Sequence, residues 1–143
     1  MRGDVDQADA LCDAVRRAAA AGTAVRIVGS GSKSSLTSGA AGGGGTPAEL
    51  LSVSEHVGIL DYRPEELVVT TRAGTPLKTL ERALAAAGQY LPFEPPRLHG
   101  GGTIGGAVAC GLSGPGRPWR GAVRDAVLGV ELVNGRGERL RFG

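Results

Sequence analysis

Residues 25–35 read VRIVGSGSKSS, a short apolar run that breaks into alternating glycine and serine around a single lysine. The run has the β-branched content of a strand, and the loop carries small side chains that let backbone N–H groups come close to an anion. Taken alone, the loop is either such an anion nest or a tight turn with no ligand. Its spacing separates it from the two common phosphate loops. A Walker A loop sets its lysine directly after the last glycine, whereas here Ser32 stands between Gly31 and Lys33. A dinucleotide fingerprint needs a third glycine and an immediate helix. After Gly29 and Gly31 the sixth position is Ser34, and the chain continues into SLTSGAAGGGG, where no helix is expected to begin.

A second glycine cluster favours the nest. HGGGTIGGAVACG, residues 99–111, places glycines before and inside what reads as one or two helical turns at TIGGAVAC, with Gly105 and Gly106 in the first of them. A helix start offers N–H groups and the positive end of a dipole to a phosphate. Two such loops in one small domain predict a diphosphate gripped from two sides. Thr103 reads either as the cap of the short helix or as a hydroxyl donor, and the two roles are compatible.

The surrounding pattern is mixed. Ala8, Leu11, Cys12, Val15 and Ala19 recur at helical spacing and Gly22 offers a stop before the first strand. SGAAGGGGTP, residues 38–47, reads as a flexible surface connection. ELLSV, GILDY and ELVVTTRAG read as short strands. TPLKTLERALAAAGQYLP, residues 75–92, reads as a helix with Thr75 as N-cap and Pro76 at its first position. Leu77, Leu80, Leu84 and Ala87 lie on one face, and Gly88 closes it. DAVLGVELVNGRGERLRF reads as a hairpin turning at Asn134 and Gly135. The fold class that follows is α+β, small mixed sheets flanked by helices, in one domain over residues 1–143.

Composition narrows the function. A chain of 143 residues is long enough to bury roughly two-thirds of its unfolded surface in one core. A net charge of +2 argues against a dedicated nucleic-acid binder, and GPGRPWRGAVRD sets one aromatic among its arginines, too few for a base-stacking platform. Arg117, Arg120 and Arg124 there are expected to contact phosphates or a partner, with Asp125 holding one of them, and Trp119 to pack against the domain. Cys12 and Cys110 lie outside any CxxC and assemble neither a zinc nor an iron–sulfur ligand set, which leaves reduced thiols and a cytoplasmic location as the expectation. Cys110 reads as a small buried packing residue, His56 as a surface residue, and His99 as either a loop histidine or one facing a ligand ring. The start, MRGDVDQADALCDAVRR, lacks the cationic tip and apolar run of a signal peptide, and no segment is apolar enough to span a bilayer. No residue reads as a catalytic acid, base or metal ligand.

RIVGSGSKS, followed in order by LPFEPP, GGTIGGAVACGLSG and GAVRDAVLGVELVNGRGE, resembles the FAD-binding domain shared by vanillyl-alcohol oxidase, para-cresol methylhydroxylase and bacterial D-lactate dehydrogenases. Through YRPEELVVTTRAGTPLKTLERALAAAGQYLPFEPP and GLSGPGRPWRGAVRDAVLG the likeness is stronger to the FAD-binding subunits of bacterial glycolate oxidases. It runs from about Ala24 to Gly143 and is most specific over Leu112–Gly129. The resemblance implies a para-cresol-methylhydroxylase-type fold. It also implies that Gly29, Ser30, Gly31, Ser32 and Lys33, with Gly102, Thr103, Ile104, Gly105 and Gly106, hold the FAD pyrophosphate. Side chains at Gly105 and Gly106 are then expected to enter the ligand's space, so that Gly105→Asp blocks FAD and spares the fold. Covalent relatives attach flavin at a histidine or cysteine where this chain has Ser32 and Gly101, so a dissociable FAD is expected. The resemblance further implies a flavoprotein catalytic subunit and an iron–sulfur subunit as partners, and oxidation of glycolate or a similar 2-hydroxy acid. The family pattern continues past LRFG, so the chain is expected to be an incomplete FAD domain, inactive alone. The rival expectations are a non-catalytic assembly module or remnant and a D-lactate-type dehydrogenase fragment.

Overall fold

The computed structural model describes residues 3–34 and 48–143. The glycine-rich SGAAGGGGTP connection lies outside them. Ser34, the last described residue before it, is helical, against the expectation that no helix begins after the first loop. Helix α1, Ala8–Ala21, buries Ala8, Cys12 and Ala18 and stops at Gly22, whose φ of 63° is left-handed. The stop is closed by the Thr23 N–H on the Ala18 carbonyl and the Gly22 N–H on that of Ala19. The inward face ends on Ala18; Ala19 is exposed.

Three two-stranded sheets follow among the described residues. Strands β1 (Val25–Val28) and β2 (Glu49–Ser52) pair in parallel, Val25 opposite Glu49. Strands β3 (Ile59–Arg63) and β4 (Val68–Thr71) form an antiparallel hairpin with an irregularity between Ile59 and Asp61. Strands β5 (Val130–Val133) and β6 (Arg139–Phe142) form a second. Its turn differs from the expected one: Gly137, not Gly135, takes the left-handed conformation at φ 72°. Asn134 sets this turn, its Oδ1 accepting the N–H groups of Arg136 and Glu138.

Helix α2, Leu77–Ala86, builds the core. Its Leu77, Leu80 and Leu84 pack with Leu91, Phe93, Ala107 and Val123, and Ile59, Tyr62 and Val69 of the β3–β4 hairpin lean against them. Burial of each leucine stabilises the fold by about 1.5–3 kcal/mol. Ala87, expected on the same face, is exposed. The helix closes as its sequence indicates, the N–H groups of Gly88 and Gln89 meeting the carbonyls of Ala85 and Leu84. Its start differs. Pro76 is the N-cap, and Thr75 is 1% exposed with its hydroxyl turned to Gly58, donating to the carbonyl at 3.1 Å and accepting the N–H at 3.0 Å.

The N-terminal segment is strapped across this layer by an antiparallel bridge between Val5 and Val57. Arg72 grips it from beneath, Nε at 2.6 Å from Asp4 Oδ1 and Nη1 at 2.9 Å from Asp6 Oδ2. His56 completes the strap, its Nδ1 accepting the Gln7 N–H at 3.1 Å. The side chain is only 16% exposed, contrary to its expected surface position. Burial, and then the Arg72 charge, hold its pKa below the ordinary value.

Candidate functional site

Two short segments cross at the centre of the molecule. The backbone of Pro76 pairs antiparallel with Thr103. The Leu77 N–H donates to the Gly102 carbonyl at 2.9 Å and the Ile104 N–H to that of Thr75 at 3.0 Å. Helix α3, Ile104–Cys110, starts from this crossing, with Thr103 as N-cap and its Oγ1 accepting the Gly106 N–H at 3.1 Å. The capping role expected of Thr103 is therefore present, and its hydroxyl proton stays available to donate.

The amide expectation for the second loop needs correction at three of its five positions, since no acceptor among the described residues takes the N–H groups of Gly102 and Thr103. Ile104, Gly105 and Gly106 already give their N–H groups to the Thr75 carbonyl, the Ala73 carbonyl and the Thr103 hydroxyl. The first turn of α3 is saturated from within. The reason for Gly105 changes too: a Cβ there would lie 2.6 Å from the Ala73 Cβ and 2.8 Å from the Ala73 oxygen. Glycine at 105 lets α3 touch the segment before α2, so an aspartate there cannot spare the fold. At Gly106 a Cβ would meet only Thr103 Oγ1, at 3.1 Å.

The first loop leaves the end of β1 and folds onto this crossing. A Cβ built on Gly29 would stand 2.8 Å from Thr103 Oγ1, and one on Gly102 would lie 3.9 Å from Ser32 Oγ. Ser32 is buried, and Gly31 turns left-handed at φ 73°. The Ser34 N–H closes the turn on the Gly31 carbonyl at 3.0 Å. No acceptor among the described residues takes the N–H groups of Ser30, Gly31, Ser32 or Lys33. Four successive donors around a left-handed glycine form the concavity that binds anions. The ten residues anticipated from the sequence, Gly29–Lys33 and Gly102–Gly106, thus come together in space, the donors concentrated in the first set. This donor set fits a diphosphate, whose charge is spread over several oxygens.

Sequence reasoning missed a further polar group. Ser113, just past the left-handed Gly111 that ends α3, has a buried Oγ with no hydrogen-bond partner among the described residues. Leaving a buried hydroxyl unpaired costs about 1–3 kcal/mol. The only trace in the sequence is a serine between Leu112 and Gly114 in GLSGPG.

The remaining candidates fall elsewhere. His99 is exposed in a turn at Leu98–Gly100, with a left-handed φ of 50°. Cys110 is exposed at the end of α3, against its expected burial, and Cys12 is buried; both are free thiols. Trp119, on the one-turn helix α4 (Arg117–Arg120), is 85% exposed and does not pack against the domain. Arg120 lies over the Tyr90 ring, 5.8 Å from its centroid. Asp125 does meet an arginine, at 3.6 Å from Arg124 Nε, but its stronger bond takes the Ala122 N–H at 2.9 Å. Among the described residues no helix is long and apolar enough to cross a membrane.

Comparison with known proteins bears on this geometry. Residues 4–143 match the FAD binding domain family. The chain is 48% identical over 143 residues to glycolate oxidase subunit GlcE of Escherichia coli (strain K12), covering all of this chain and 39% of that protein. It is 31% identical over 119 residues to D-2-hydroxyglutarate dehydrogenase of Xanthomonas citri pv. viticola, 83% of this chain and 25% of that one. It is 33% identical over 90 residues to L-gulonolactone oxidase 3 of Arabidopsis thaliana, 62% of this chain and 15% of that one. The chain therefore spans well under half the length of these curated relatives.

Proposed function

Because the chain belongs to the FAD binding domain family, we propose that it holds FAD without a covalent bond, the diphosphate lying on Gly29–Lys33 where that loop meets Gly102–Gly106. The observation that carries this reading is the run of N–H groups from Ser30 to Lys33, beside the Thr103 hydroxyl, that no acceptor among the described residues takes. Ser30, Gly31, Ser32 and Lys33 donate main-chain hydrogen bonds to phosphate oxygens, and the Lys33 ammonium adds charge. Thr103 keeps the two segments in register through Gly106 and directs its remaining proton at the ligand. Gly102, Ile104 and Gly105 act as backbone scaffolding through the carbonyls and amides they exchange with Leu77, Thr75 and Ala73. Bound FAD supplies a two-electron acceptor.

The substrate class we propose for the whole protein is glycolate or a similar 2-hydroxy acid, oxidised to the 2-oxo acid. Support comes from the names of two relatives, a glycolate oxidase subunit and a dehydrogenase of a 2-hydroxy acid. We further propose that the chain works in a multi-subunit complex with a flavoprotein catalytic subunit and an iron–sulfur subunit. A cytoplasmic setting accords with two free thiols, Cys12 and Cys110.

A flavin titration tests the reading. FAD added to the purified protein is expected to lose fluorescence at micromolar concentration, whereas FMN, lacking the diphosphate, binds far more weakly. Equal affinity for both, or none for either, overturns the assignment of the loop to a diphosphate.

A further inference from the structure

The connector LPFEPP between α2 and α3 carries a carboxylate in an unusual position. Glu94 stands between Phe93, 5% exposed in the core, and the buried Pro95, so its main chain is fixed on both sides. From there it grips the loop that follows α3 twice. Its carbonyl accepts the Gly114 N–H at 2.8 Å, and its carboxylate Oε2 accepts the Gly116 N–H at 2.6 Å. The loop is shaped to the carboxylate. A Cβ on Gly114 would lie 2.7 Å from Glu94 Cδ, and one on Gly116 2.6 Å from Oε2. Gly116 in turn caps α4, its carbonyl taking the N–H groups of Trp119 and Arg120. Immediately before the gripped glycines stands Ser113, whose buried hydroxyl has no partner among the described residues.

We propose that Glu94 is a positioning residue of the FAD site, holding Gly114 and Gly116 so that the Ser113 hydroxyl is fixed where the cofactor takes it as a hydrogen-bond partner. The inference rests on the FAD reading above. Helix α3 is two turns long, about 10 Å, so an extended dinucleotide seated at its start reaches past its end. A charge-assisted bond to a main-chain N–H holds a loop more firmly than a neutral one. Without an acceptor oxygen at that reach, Ser113 is free to turn away and the loss appears in cofactor affinity.

The experiment measures the FAD dissociation constant by fluorescence, and the melting temperature without FAD, for the full chain carrying Glu94→Ala, Glu94→Gln, Glu94→Asp, Ser113→Ala and the Glu94→Ala/Ser113→Ala pair. Glu94→Ala and Ser113→Ala are each expected to weaken FAD by about tenfold, the pair by little more than either alone. Glu94→Gln, which keeps an oxygen acceptor at full reach, recovers most of the affinity. Glu94→Asp, one methylene short, does not, and it replaces Glu94→Ala if that variant fails to fold. Unchanged affinity in Glu94→Asp, or losses that simply add in the pair, overturn the proposal while leaving the flavin site in place. Affinity losses that merely follow the fall in melting temperature across all variants also overturn it. Absence of FAD binding by the unsubstituted protein is a different result: it overturns the flavin reading itself.

Discussion

Gly29 and Thr103 touch across the centre of the fold, with no room between them for a methyl group: a Cβ on Gly29 would stand 2.8 Å from Thr103 Oγ1. The same oxygen holds the Gly106 N–H and so caps α3. One hydroxyl thus joins the donor loop after β1 to the helix start that the loop faces. The arrangement of the proposed site depends on this contact more than on either glycine cluster alone.

Gly29→Ala should therefore destabilise the protein by about 1–3 kcal/mol, the usual cost of overpacking. In a Thr103→Ala background the obstructing oxygen is gone, and the same substitution should cost measurably less. Urea unfolding of the two single variants and the pair gives the coupling directly. Strictly additive losses would show that the two residues do not meet.

Two other glycines make a sharper contrast. A Cβ on Gly74 would fall 2.2 Å from the Val53 oxygen and 2.6 Å from that of His56, both main chain, while one on Gly101 meets nothing within 4 Å. Gly74→Ala is expected to lose more than about 3 kcal/mol, and Gly101→Ala to stay within about 0.5 kcal/mol of the parent. Similar urea midpoints for both would contradict the crossing described here.

What the sequence made legible and what it hid divide along the range of the interaction. The leucines of α2 and the stops at Gly22 and Gly88 were readable because helical spacing and capping are local. The two glycine clusters were recognisable as partners, but not the manner of their meeting. Thr75 looks like an N-cap from its neighbours, yet its hydroxyl is drawn to Gly58. The α3 amides look free in the sequence because the acceptors, Thr75 and Ala73, lie on another segment. Glu94 carries no local signal at all, since the groups it binds are two glycines on a different loop. Trp119 and Cys110 look like inward residues by hydrophobicity, which does not say which side of a short helix meets the core.

Acid should weaken the N-terminal strap in two separate steps. Burial, then Arg72, lower the His56 pKa from its ordinary 6.5, with Asp6 partly opposing them. The unfolded chain then binds this proton first, so stability falls as pH drops through 6.5 towards the lower folded value. Asp4 lies below 3.8 chiefly through its hydrogen bond from Arg72, and Asp6 chiefly through the Ala8 N–H, so a second loss begins as pH falls past 3.8. Urea midpoints from pH 8 to 3 should show both steps. His56→Gln, which keeps an acceptor for the Gln7 N–H, should remove only the upper one. A variant with the parent's profile between pH 7 and 5 would clear His56 of this role.

The two glycines of α3 should behave differently although they are adjacent. Gly105→Ala drives a methyl into the Ala73 Cβ and oxygen and strains the hydrogen bond from the residue 105 N–H to the Ala73 carbonyl, and about 1–3 kcal/mol of stability should go with it. Ala73→Gly removes one of the two obstacles, so the double variant should recover part of the loss. Gly106→Ala meets only Thr103 Oγ1 at 3.1 Å and gains up to about 1 kcal/mol of helix propensity, so its net effect should be close to zero. FAD affinity separates packing from binding. If Gly105 serves packing, affinity in the double variant should recover together with the melting temperature. Recovery of stability without recovery of FAD binding would instead mean that a side chain at 105 enters the ligand's own space.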